Sequence, residues 1–214
     1  MKHHYLPLLC VGLLGLAPQC LAENLVNNPG FEEKLAGWDA YRPGPAENEA
    51  LEFGSDSKDP HEGAYAARME STAPVRWALV SKRSIPVEPG EKLRVEGWVR
   101  CDAGAELEPN LPGVYISWQF SDKDWINLGM EEPEGPANFI GLWDGVARWD
   151  MLKKLQPAEL PGKWTKISAV VEAPPNAAYL SSLGGAVWGV KGVVYWDDFS
   201  VERVDAATPL TEKH

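Results

Sequence analysis

The sequence predicts an all-β fold: a β-sandwich of mostly antiparallel strands carrying one long insertion. Three observations predict it. Short apolar or alternating stretches recur between turns rich in Gly and Pro, 20 and 18 of them in 214 residues. No stretch sustains a helical period, and that combination belongs to sandwiches and barrels. Two stretches alternate cleanly. Leu93, Val95, Gly97 and Val99 oppose Arg94, Glu96, Trp98 and Arg100, and Val114, Ile116, Trp118 and Phe120 oppose Tyr115, Ser117 and Gln119. A period of two marks a half-buried antiparallel strand. The third observation is the run from Gly192 to Glu202, apolar and aromatic on both sides of Asp197-Asp198. So apolar a strand is covered on both faces, and carboxylates inside it need compensation. A cation or a loop of backbone N–H groups would supply it. In a regular strand the two carboxylates point to opposite faces.

The elements follow in order. Residues 1–22 read as a secretory signal peptide: Lys2, an apolar run from Tyr5 to Ala17, then Cys20-Leu21-Ala22 at cleavage spacing. The run is too short to span a bilayer, so the expectation is a secreted or periplasmic protein without membrane insertion. The domain covers residues 23–204. Asn27-Asn28-Pro29-Gly30 is a turn, and Gly37-Trp38 starts a strand toward Tyr41. Strands are expected at Glu49–Phe53, Ala64–Met69, Trp77–Ser81, Glu91–Arg100 and Val114–Phe120, and then at Trp164–Val171, Tyr179–Leu183 and the closing run. Residues 121–162 form the insertion, with Trp125, Phe139, Trp143 and Trp149 among acids and prolines, and Met151–Leu155 as a turn or two of helix. A connection this long is often functional. Residues 205–214 are a polar tail.

Charge and cysteine content exclude several classes. The formal charge is −11, and −12 without the leader. Nucleic-acid binding needs basic contacts to phosphate, so it is not expected. Cys101 is the one cysteine outside the leader, so no internal disulfide forms, and it reads as a small buried residue. Only His61 and His214 remain as partners for a catalytic nucleophile. No zinc cluster or phosphate loop is present, and acids are too numerous for any pair to signal a hydrolase. The expectation is a non-enzyme.

The order of motifs resembles secreted carbohydrate-binding modules of the CenC type, which have a galactose-binding-like jelly-roll fold. Asn28-Pro29-Gly30-Phe31-Glu32 with Gly37-Trp38 is similar to their opening. Glu62-Gly63-Ala64-Tyr65 looks like the loop after their first hairpin. Val87 to Leu93 leading into Gly97-Trp98-Val99-Arg100 matches their long strand. Trp164–Val171, Ala173-Pro174 and Trp196 to Val201 are similar to their closing strands. The likeness runs from Asn24 to Val204, apart from the 121–162 insertion, which is foreign to the family pattern. It implies a jelly roll that binds a polysaccharide or oligosaccharide. It also implies a structural calcium near the paired termini, held by Gly30, Glu32, Glu62 and Asp197, or by Asp198 in its place. Calcium takes several carboxylate and carbonyl oxygens.

A ligand face is read from parity. If Leu93, Val95 and Val99 face the core, Trp98 and Arg100 face outward. If Val114, Ile116 and Phe120 face the core, Tyr115 and Gln119 face outward. Should the two strands share a sheet, the four meet, with the insertion bringing Trp125 or Trp143 beside Trp98. Sugars offer C–H faces to aromatic rings and hydroxyls to Arg and Gln. A protein-binding or envelope-structural module is the alternative, and a glycan-active hydrolase or lyase the third reading.

Overall fold

A computed structural model of the chain describes residues 23–41, 50–109, 111–128, 139–141 (backbone only) and 160–211. Among the described residues thirteen strands run in order: β1 (Trp38–Tyr41), β2 (Leu51–Asp56), β3 (Ala66–Ser71), β4 (Arg76–Ser81), β5 (Ile85–Pro86), β6 (Lys92–Cys101), β7 (Glu106–Leu107), β8 (Gly113–Ser121), β9 (Asn127–Leu128), β10 (Phe139–Gly141), β11 (Thr165–Glu172), β12 (Tyr179–Trp188) and β13 (Val190–Arg203). No helix occurs among the described residues. Met151–Leu155, expected as helix, lies outside them, as does the leader.

The strands form two sheets of a jelly-roll β-sandwich. The front sheet has the order β1-β4-β12-β8-β10, with β5 on β12 and β9 on β8; the back sheet has the order β11-β6-β13-β3-β2, with β7 on β13. Every pairing is antiparallel. The closing run is β13, central in its sheet between β6 and β3, which is why it reads as apolar on both faces.

The core takes the even-numbered face of β8 and the odd-numbered face of β6, as the alternation predicts. Leu93, Val95, Val99, Val114, Ile116, Trp118 and Phe120 are all buried. Phe31 and Phe199 flank Trp38, each with its ring centroid 5.0 Å away, and Trp196 follows 5.6 Å from Phe199. Cys101 is buried and free. Burial pushes its thiol up to about 12, so it carries no thiolate at neutral pH.

One expectation about the fold is corrected. β6 and β8 do not lie in one sheet. A Cβ placed on Gly97 of β6 would meet Ile116 Cδ1 of β8 at 3.1 Å, so the two strands face each other across the core. Their outer faces point in opposite directions. The reason lies in the connection: residues 102–112 are far longer than a two-residue hairpin loop, and they carry the chain from one layer to the other.

Candidate functional site

The closing strand holds the first cluster. β13 has a bulge between Asp197 and Ser200, and Asp198 sits at φ 45°. The extra residue breaks alternation, so both carboxylates turn toward one loop rather than opposite faces. Asp197 is fully buried. Its Oδ2 accepts the His61 N–H at 2.9 Å and its Oδ1 accepts the Asp198 N–H at 2.9 Å. Loop backbone N–H groups thus compensate the buried charge in part. Burial pushes the Asp197 carboxyl up to about 7, the Asp198 charge adds to this, and the N–H donors of His61, Asp198 and Glu62 oppose it. Asp198 Oδ2 meets His61 Nδ1 at 2.6 Å.

The opening turn closes on the same place. A Cβ on Gly30 would lie 3.0 Å from Asp198 Oδ1 and 3.8 Å from Asp197 Oδ1. Glu32 is engaged elsewhere: its Oε1 accepts the N–H groups of Ala64 at 2.8 Å and Tyr65 at 3.3 Å. Glu62 lines a cleft of about 200 Å³ with Asn24, His61, Trp98, Asp198 and Ser200. Among the described residues no three His, Cys, Asp or Glu side chains converge as a metal site. Gly30, Asp197 and Asp198 lie together, while the Glu32 carboxylate accepts loop N–H groups.

The outer face of the back sheet carries Trp98 and Arg100. The His61 ring stacks on Trp98, centroids 3.9 Å apart at 19°, and meets Trp164 edge-on at 5.9 Å. The Arg100 guanidinium lies over Tyr195 at 4.2 Å and over Trp164 at 5.5 Å, with Asp102 and Asp59 as carboxylate partners at 3.1 and 3.6 Å. The Trp164 indole N–H donates to the Asp59 carbonyl at 3.2 Å. These rings already have partners from the protein itself. The cluster fastens the 59–62 loop to the sheet.

The outer face of the front sheet carries Tyr115 and Gln119, away from Trp98 and Arg100. Across it runs a row in register: Tyr41 of β1, Ala78 of β4, Ala186 of β12 and Tyr115 of β8. The adjoining outward positions are small too, Gly184 beside Ser117 and Ser182 beside Gln119. Tyr41 is 55% exposed while Tyr115 is 4% exposed, so Tyr115 forms floor and not wall. Arg76 hydrogen-bonds Tyr115 and lies over the Trp188 ring at 5.2 Å. Burial raises the Tyr115 phenol, and Arg76 pulls it back. Gln119 Nε2 is buried and meets no acceptor among the described residues. At the far end of the face Trp125 stacks on Tyr179, centroids 4.6 Å apart and rings 2° from parallel. Trp143 lies outside the described residues.

Sequence reading missed Tyr41, Arg76, Tyr179 and Trp188 on this face. The signal for the last was present. Beyond Leu183 the chain alternates Gly184, Ala186 and Trp188 against Gly185 and Val187, which extends β12 past its expected end.

No family model matches the sequence, and no curated protein matches it. Solved structures share the fold. The enzymatically active domain of tailspike protein 4 of bacteriophage CBA120 matches with TM-score 0.56 and 13% identity, over 85% of this chain and 21% of that one. The CBM22-1-GH10 modules of Clostridium thermocellum endo-1,4-β-D-xylanase 10B, complexed with xylohexaose, match with TM-score 0.54 and 16% identity, over 87% and 30%. The CBM22-1-CBM22-2 tandem domain of Paenibacillus barcinonensis Xyn10C matches with TM-score 0.54 and 16% identity, over 87% and 46%. This chain spans less than half the length of each of the three. At these identities the likeness establishes the fold, which the carbohydrate-binding modules among these neighbours share.

Proposed function

We propose that the protein binds a carbohydrate, without catalysis, across the outer face of the front sheet, and does so outside the cytoplasm. The observation that carries this is the row from Tyr41 to Tyr115. Strands lie about 4.8 Å apart, so two alanines separate aromatic residues about 14 Å from one another. The row is open at its Tyr41 end, where the ring is 55% exposed, and covered at its Ala186 and Tyr115 end. Arg76, exposed on the same face, offers donors to hydroxyl groups. The back-sheet rings are the poorer candidate, because His61 and Arg100 already occupy them. The fold shared with the xylan-directed and tandem modules supports the reading, as does the resemblance to CenC-type modules.

A glycan-array screen of the intact protein tests it. The expected outcome is selective binding to one glycan class, weakened by Tyr41→Ala. Binding of no glycan would sink the proposal. Appearance of new reducing ends in the bound glycan would overturn its non-catalytic part.

Calcium is proposed as a structural ion in changed form. The candidate donors are the Asp197 and Asp198 carboxylates, already engaged by N–H groups and by His61, with Gly30 beside them; a hard cation would favour such carboxylates mixed with carbonyl oxygens. A bound cation would neutralise two adjacent negative groups, one of them fully buried.

A further inference from the structure

In the loop after β2, two side chains of the back sheet hold both functional groups of one residue, Asp59. The Trp164 indole N–H donates to the Asp59 main-chain carbonyl at 3.2 Å. The Asp59 carboxylate lies 3.6 Å from Arg100 Nε and is 65% exposed, so water reaches it. Arg100 and Trp164 act as one unit, for the guanidinium lies 5.5 Å from the indole ring and 4.2 Å from the ring of Tyr195. The residue after Asp59 is Pro60. The chain is held on both sides of the bond between them. Upstream, Asp56 Oδ1 accepts the Lys58 N–H at 2.6 Å. Downstream, the His61 N–H donates to Asp197 and its ring stacks on Trp98.

An aspartate carboxylate can attack its own main-chain carbonyl through a five-membered ring. Attack usually comes to nothing, because a peptide nitrogen leaves poorly. Proline changes that: its nitrogen belongs to a tertiary amide, carries no N–H and takes a proton more readily than an ordinary peptide nitrogen. The fold adds a donor at the oxygen where negative charge appears. An N–H already aimed at a developing oxyanion speeds acyl transfer, and Trp164 supplies one. Arg100 Nε is buried and makes no hydrogen bond among the described residues. It therefore orients the attacking carboxylate without capturing it.

We propose that Asp59–Pro60 is a self-cleavage site, at which the folded protein cuts its own backbone in weak acid and keeps the two pieces together. A carboxylate oxygen of Asp59 bonds to the carbonyl carbon of the same residue. The C–N bond to Pro60 breaks, and the nitrogen leaves with that electron pair and a proton from solvent. Asp59 remains as a cyclic anhydride, which one water opens to two carboxyl groups. The ionisable groups facing the attacking carboxylate are Arg100 of β6 and, beyond it, Asp102 and Tyr195 of β13. Lys58 and His61 flank it in the loop, His61 turned to Asp198. The pieces stay joined because β1 pairs with β4, β2 with β3, and Asn24 with β13. The cut leaves an amine at Pro60, next in the chain to the N–H that Asp197 accepts.

The intact protein is held in weakly acidic buffer, folded in one sample and in concentrated guanidinium in another, and followed by denaturing electrophoresis and intact mass. The folded sample should yield a fragment beginning at Pro60, about tenfold faster than the unfolded chain. Both fragments should elute together in native size-exclusion chromatography. Trp164→Phe keeps a ring beside Arg100 and removes the N–H, and it should slow the cut about tenfold. Asp59→Ala should abolish it. Equal or slower cutting in the folded sample overturns the proposal, since the bond is then no more labile than any Asp–Pro pair. That comparison holds whether or not the variants fold. A parent-like rate in Trp164→Phe overturns the role of the indole donor, and a parent-like rate in Asp59→Ala that of the nucleophile. Fragments that separate under native conditions overturn the retained assembly.

Discussion

At the scale of single residues the informative one is Asp197. That a carboxylate pair inside an apolar strand needs compensation was legible, and so was the choice between a cation and backbone donors. That both carboxylates would turn to one loop was not, because it depends on the left-handed backbone of Asp198, and neither Asp nor its neighbours announce a bulge. The ionisation of Asp197 gives a prediction with a definite sign. Its folded value of about 7 stands above the ordinary 3.8. Between those values the folded protein keeps a proton that the unfolded chain has lost. The stability this supplies is complete at the acid end and is lost as pH rises through 7. A cation on the ionised pair reverses that loss. Calcium should therefore raise the melting temperature more at pH 8 than at pH 5, each measured against a chelator. An equal gain at both pH values, or none, would remove calcium from this position.

Among the elements, parity was read correctly along β6 and β8, and the partnership between them was not. Alternation tells which residues share a face of one strand. It is silent on whether two strands lie side by side or face to face, so Trp98 and Tyr115 were brought together on paper and set apart in space. Glycine carries the missing signal. Gly97 faces Ile116 and Phe199, and a Cβ on Gly185 of β12 would lie 2.5 Å from the Trp196 ring of β13. Where two sheets pack closely, large rings on one need absent side chains on the other. Gly185→Ala should cost about 1–3 kcal/mol through overpacking. Chemical denaturation measures it, and a neutral result would mean that the layers separate more easily than their rings suggest. Trp125 was legible only as an aromatic in an odd insertion; its turn depends on Asp122, whose Oδ1 accepts the Asp124 and Ile126 N–H groups, a role no composition signal marks.

The whole molecule is closed by its ends. Asn24 Nδ2 donates to the Phe199 carbonyl at 3.0 Å, Asn24 Oδ1 accepts the Val201 N–H at 3.2 Å, and the Leu25 N–H donates to the Val201 carbonyl at 2.9 Å. The polar tail is also seated, for Thr211 and Val170 bond each other twice, and Lys92 Nζ holds the carbonyls of Ala206 and Thr208. The last strand fills the middle of its sheet, so the β2-β3 and β6-β11 pairs of the back layer are not joined without it. On a ribosome adding about 5–20 residues per second, a gap of 175 residues keeps Asn24 waiting roughly 10 to 35 seconds for its partner. Through that interval β3 and β6 have an open edge each and the aromatic core lacks Trp196 and Phe199. Nascent chains arrested before Val190 should be cleaved readily by protease, and chains released after Val204 should resist it. Until β13 is made, the polypeptide is a client for whatever shields unpaired strands.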